Sequence, residues 1–130
     1  MLRFVLTVLA YLVPTFALGF TWHLKIFQAT YRELRIYRED IIIPFGFASM
    51  LIQGIIFAVA YPRLVVNPAS IASGMGFAAA AALLSWTFTT LAVAAKHPMT
   101  SVSRFVATET GFTALQFLFV GPLFALAARF

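Results

Sequence analysis

The chain has 130 residues, 62% of them hydrophobic and only 10% charged, with a net charge of +5 and no cysteine. Soluble domains are about 45–50% apolar and about 25% charged, so a soluble fold of this length could not hide so much apolar surface, and lipid is expected to cover it. Without cysteine there are no disulfides, thiolate metal sites or thiol nucleophiles, and the length allows one compact unit over residues 1–130.

Four long apolar runs predict an all-α, integral membrane four-helix bundle. Its order is up-down-up-down, with helices over about residues 2–23, 41–61, 69–96 and 104–128. In the first run, Arg3 before an apolar stretch and Ala17-Leu18-Gly19 also fit a cleaved signal peptide. The run exceeds the ~7–15 apolar residues of a signal and continues through Gly19 into Phe20 and Trp22, so a retained helix, kinked near Pro14, is expected.

Residues 25–40 are the main charged segment. Leu24, Phe27, Tyr31 and Leu34 recur at helical steps, with Lys25, Arg32 and Arg35 towards the other side. This is the pattern of a short amphipathic segment lying on the headgroups after helix one. Lys25, Arg32, Arg35 and Arg38 would meet anionic lipid there, and no nucleic-acid partner is expected.

Run two is expected to be capped by Glu39 or Asp40, with Pro44 tolerated in its first turn. Gly46, Met50, Gly54 and Ala58 step by four and make one face nearly smooth. Asn67-Pro68 reads as an N-cap and first helical residue for run three. That run carries a second small-residue stripe, Ser70, Gly74, Ala78 and Ala82. With no interior proline, it is expected to be the straight, tightly packed member. His97-Pro98 ends it. Thr100, Ser101 or Ser103 caps run four, kinked near Pro122.

An even number of crossings puts both termini on one side. Lys25, Arg32, Arg35, Arg38, Lys96 and Arg104 flank loops one and three, against Arg3, Arg63 and Arg129 on the other side. The positive-inside rule then puts loops one and three in the cytoplasm and both termini outside, in the inner (plasma) membrane.

This topology brings three rare residue types to one depth. His23 and His97 lie where helices one and three leave the membrane, and Glu109 lies just inside helix four. Trp22 and Lys96 flank them. An ionisable residue within a membrane helix normally faces the interior or a cavity. Glu109 with His23 and His97 is therefore a candidate proton or ligand site. An interfacial ion pair of Glu109 with Lys96, Arg104 or a protonated histidine accounts for the same residues. Gln53 and Gln116, near the midplane, are expected to hydrogen-bond across helices. Bis-histidine haem ligation by His23 and His97 would be shallow, and no metal-ligand spacing or hydrolase motif is present, so no cofactor is expected.

T-W-H-L at Thr21 to Leu24, S-M-L-I-Q-G at Ser49 to Gly54, A-Y-P-R at Ala60 to Arg63 and A-A-K-H at Ala94 to His97 resemble a group of small four-helix bacterial inner-membrane proteins. The resemblance implies location and architecture and carries no activity. The size also resembles small multidrug transporters, whose essential glutamate lies in the first helix; helix one here has no acid. Three functions fit the sequence. The small-residue stripes suggest an accessory or structural subunit that packs with other membrane proteins or with copies of itself. Glu109 with His23 and His97 suggests a small proton-coupled transporter or ligand-binding bundle. His23 and His97 as ligands suggest a membrane cofactor protein or enzyme.

Overall fold

A computed structural model describes all residues, 1–130. It is helical throughout, with no strand. Four helices are long and apolar enough to cross a membrane: α1 (Leu2–Ile26), α3 (Ile43–Leu64), α4 (Ile71–Lys96) and α5 (Val102–Ala127). The short α2 (Gln28–Leu34) follows α1.

α1 runs through Pro14 and closes with a π-helical turn over Trp22–Ile26, in which the Phe27 N–H reaches the Trp22 carbonyl at 2.9 Å. π-turns often mark functional positions, and this one carries His23. α2 ends at Arg35, whose left-handed backbone (φ 55°) reverses the chain without a glycine.

The starts of two helices differ from the sequence expectation. α3 begins at Ile43 with Ile42 as N-cap and no side-chain cap. Asp40 is instead engaged by Arg38, with both hydrogen bonds at 3.0 Å. α4 is capped by Ser70, which accepts from the Ser73 N–H, rather than by Asn67. Pro68 lies outside α4, where its carbonyl accepts a 2.6 Å hydrogen bond from Tyr61. For α5 the cap is one of the three expected candidates, Ser101 accepting from the Arg104 N–H. α4 is tightly packed against α5 at Gly74, as expected, but it is neither regular throughout nor the most buried span. It contains a π-helical turn over Thr87–Leu91, and the most buried span is α5, at 44% against 11% for α4.

α5 owes this burial to its central place, packing against both α1 and α4, while α3 packs on α1. The core is aromatic. Tyr11, Tyr61, Phe117 and Phe124 are buried together, with Phe57 and Phe77 edge-on between them. The small-residue steps let the backbones approach within the chain. A Cβ at Gly74 would strike the Gly121 carbonyl, and one at Gly54 would lie 3.3 Å from the Val8 carbonyl. Ala58 and Ala78, one turn along each stripe, are also buried.

The apolar face of α2 is covered by protein. Leu34 is fully buried, and with Tyr31 it packs on Phe105 of α5. Thr100 ties the end of α2 to the α4–α5 connection through the Leu34 and Glu33 carbonyls. Elsewhere apolar side chains point outward. Ile52, Ile56, Leu84, Phe88 and Phe119 are all more than half exposed.

Candidate functional site

Glu109 lies two turns into α5 and is 5% exposed. One carboxylate oxygen, Oε1, collects three partners from three different segments. His23 Nε2 approaches to 3.2 Å from the π-turn of α1. The Tyr31 hydroxyl donates from α2, and the Tyr37 hydroxyl at 3.5 Å from the segment beyond it. Glu109 thereby fastens the α1–α3 connection to the middle of the bundle.

The histidine ring is held between aromatic neighbours and the backbone. It stacks on Tyr31 with centroids 4.7 Å apart and meets Phe112 edge-on at the same distance. Its Nδ1 lies 3.0 Å from the Gly19 carbonyl oxygen. A carbonyl only accepts, so Nδ1 carries a proton. The contact between Nε2 and Oε1 then needs one further proton, on either the imidazole or the carboxyl group. The pair is imidazolium with carboxylate or imidazole with carboxylic acid. Both forms hold the same number of protons and have zero net charge.

The tyrosines are suited to remain donors. Burial, and then the hydrogen bond to Glu109, push the Tyr31 hydroxyl well above the ordinary tyrosine range. Loss of water at its hydroxyl end and the charge of Glu109 do the same for Tyr37, although its ring is partly exposed.

Of the other residues singled out from the sequence, Trp22 belongs to this neighbourhood. Its ring is 4.4 Å from Phe27 and packs against Gly111, where a Cβ would sit 3.4 Å from the indole. Its Nε1 is buried without a partner. His97 is exposed, bonded at 3.2 Å to the Val93 carbonyl, and is not a partner of Glu109 or His23. Lys96 is exposed and forms no ion pair with Glu109. Arg104 pairs with Glu33.

Gln53 and Gln116 join through a residue the sequence reading passed over. Gln116 Nε2 donates to Tyr11 and Thr15, both at 3.2 Å; Tyr11 donates to Gln53, and Gln53 donates to Ser49 at 3.0 Å. This chain links α5, α1 and α3. Tyr11, Tyr31 and Tyr37 were all missed as site residues. A signal existed for two of them. A tyrosine on a buried helical stripe brings a hydroxyl that needs a partner, and few polar residues were available to supply one.

Comparison with protein-family models, curated proteins and solved structures finds no match. Function is therefore argued from the geometry of these side chains.

A cavity of about 340 Å³ adjoins the cluster. Its walls are apolar, including Phe16, Phe20, Phe47, Met50 and Phe112, and its polar lining groups include His23, Tyr37 and Arg38. A groove of about 400 Å³ between α4 and α5 is larger but contains no charged side chain. No group of three potential metal-ligating side chains is brought together anywhere in the chain.

Proposed function

We propose that the protein is a proton-binding membrane bundle that takes a ligand in the cavity beside Glu109 and His23. The observation that carries this reading is the Glu109–His23 contact, made while the second histidine nitrogen is held on the Gly19 carbonyl. A retained proton follows from that geometry. An acid in a spanning helix is costly in lipid and is by default a functional residue. Two of its three partners, His23 and Tyr37, also line the cavity, so a change in protonation acts directly on the cavity wall. Proton-coupled transport is the activity this arrangement suits, with Glu109 and His23 as the proton site. His97 has no part in it.

The bundle is read as inserted in the inner (plasma) membrane, in up-down-up-down order. Support comes from the four apolar spans and from contacts that run in reverse order between neighbours. Tyr11 meets Gln116 while His23 meets Glu109, and Gly74 meets Gly121 while Trp86 meets Thr110. The basic loops one and three are joined through Thr100 and Arg104 at one end, which fits a shared cytoplasmic side. A role as a packing subunit would need a different surface from the one first suggested, since Gly54, Ala58, Gly74 and Ala78 are packed within this chain.

The test is proton uptake by the purified protein in lipid vesicles on titration from alkaline to acidic pH, a range that includes loss of the shared proton. Wild type should take up about one proton more than Glu109→Gln, and His97→Gln should match wild type. Identical uptake by wild type and Glu109→Gln would remove this reading.

A further inference from the structure

The cavity runs from His23 down to Phe16 on α1 and from Ile43 down to Met50 on α3. Each stretch rises seven positions, so the apolar part is about 10 Å long at 1.5 Å per residue. Its volume of about 340 Å³ is at the lower end for small-molecule pockets, enough for one chain and too small for two. The wall contributes no charge except at the end that reaches the basic loop.

Two cations lie by the cavity, Arg38 in its lining and Lys25 outside it. Arg38 lines the cavity; its Nε and Nη2 are engaged by Asp40, leaving Nη1 without a partner. Lys25 lies over Phe20, another wall residue, with Nζ 5.8 Å from the ring centroid. Asp40 offsets one of the two. The inner polar group, Glu109 with His23, adds no net charge if it retains its proton, and the inference rests on the proposed function at this point. Glu39, next to Arg38 in the chain, is exposed and pairs with neither cation, so the free cationic groups beside the apolar slot are Lys25 and Arg38 Nη1.

We propose that this cavity binds a single-chain anionic amphiphile. The alkyl chain lies among Phe16, Phe47 and Met50, and the carboxylate or phosphate head is held at Arg38 and Lys25. An ordinary two-chain phospholipid is excluded by the volume, and a cationic amphiphile by these cationic groups.

Gly46 provides a clean test. It lines the cavity, and a Cβ there meets nothing within 4 Å. Gly46→Phe can fill the slot without disturbing helix packing. Gly76 also faces open space, on α4 and away from the cavity, so Gly76→Phe is the matched control. Binding of labelled decanoate is measured on the protein in nanodiscs of zwitterionic lipid. Decyl phosphate, decyltrimethylammonium and phosphatidylglycerol serve as competitors.

Wild type and Gly76→Phe should bind one decanoate saturably, and Gly46→Phe should bind it at least about tenfold more weakly. Arg38→Gln should weaken decanoate and decyl phosphate together. Equal binding to Gly46→Phe and wild type would overturn the proposal. So would preference for decyltrimethylammonium, or displacement by phosphatidylglycerol as effective as by decanoate. Failure here would leave the proton difference between wild type and Glu109→Gln untouched. Failure of that difference would leave the decanoate measurement readable.

Discussion

Glu109 is held in the bundle by three partners, two of them tyrosine donors. Hydrogen bonds to a charged group contribute roughly 1.5–3 kcal/mol each. Tyr31→Phe removes one and leaves the ring stacked on His23, so it is expected to lower stability by about that amount. Chemical denaturation in detergent measures it. Tyr37→Phe should cost less, since its contact is long at 3.5 Å and its ring is partly exposed. The direction of the tyrosine shifts sets a pH dependence. Raised folded-state values favour the neutral hydroxyls, so their contribution is fully present below the ordinary tyrosine value of about 10. It is lost as pH rises beyond that value through the folded-state titration. Tyrosinate absorbance should therefore lag in wild type and appear earlier in Glu109→Gln. At this scale the sequence was half legible. Depth alone paired His23 with Glu109, because both lie at helix ends on one side. It could not separate His23 from His97, since depth carries no information about which helix faces Glu109. Nor could it find Tyr37, which reaches Glu109 only because the chain turns at Arg35.

Among the elements, the α4–α5 crossing is the least forgiving. Any side chain at Gly74 meets the Gly121 carbonyl, which is backbone and cannot rotate away. Gly74→Val should destabilise by about 1–3 kcal/mol or more, the usual range for overpacking. Gly76→Val should be close to neutral, and thermal denaturation of the pair separates the two. On α2, Leu34 is fully buried against Phe105, so Leu34→Ala should cost about 2–5 kcal/mol as a core truncation. A helix merely resting on headgroups would lose far less. Periodicity identified the apolar face of α2 correctly but could not say what covers it, because lipid and protein make the same demand on a helix face. The helix ends shifted for a similar reason. Asp40 and Asn67 are good caps in isolation, yet Asp40 is engaged by Arg38 and α4 begins beyond Pro68, at Ser70. The π-turns at His23 and Thr90 left no trace in composition or spacing.

For the whole molecule, the long apolar runs made four helices long and apolar enough to cross a membrane plain from the sequence, because length and hydropathy set that outcome. Their arrangement was not plain. Apolar helices look alike, and α5 became the centre through Gly121, Phe117 and Phe124, which fit into its neighbours. That central position holds Glu109 at the junction of α1, α2 and the following segment, beside a cavity lined by α1, that following segment and α3. The central claim is that Glu109 and His23 share one retained proton there. Nitrogen-15 spectra of the His23 ring, recorded in lipid bilayers across pH, test it most directly. Nδ1 should stay protonated throughout, with Nε2 and the Glu109 carboxyl signal changing together in wild type, and in Glu109→Gln the Nε2 change should fall at a different pH. A His23 spectrum that titrates identically in wild type and Glu109→Gln would contradict it.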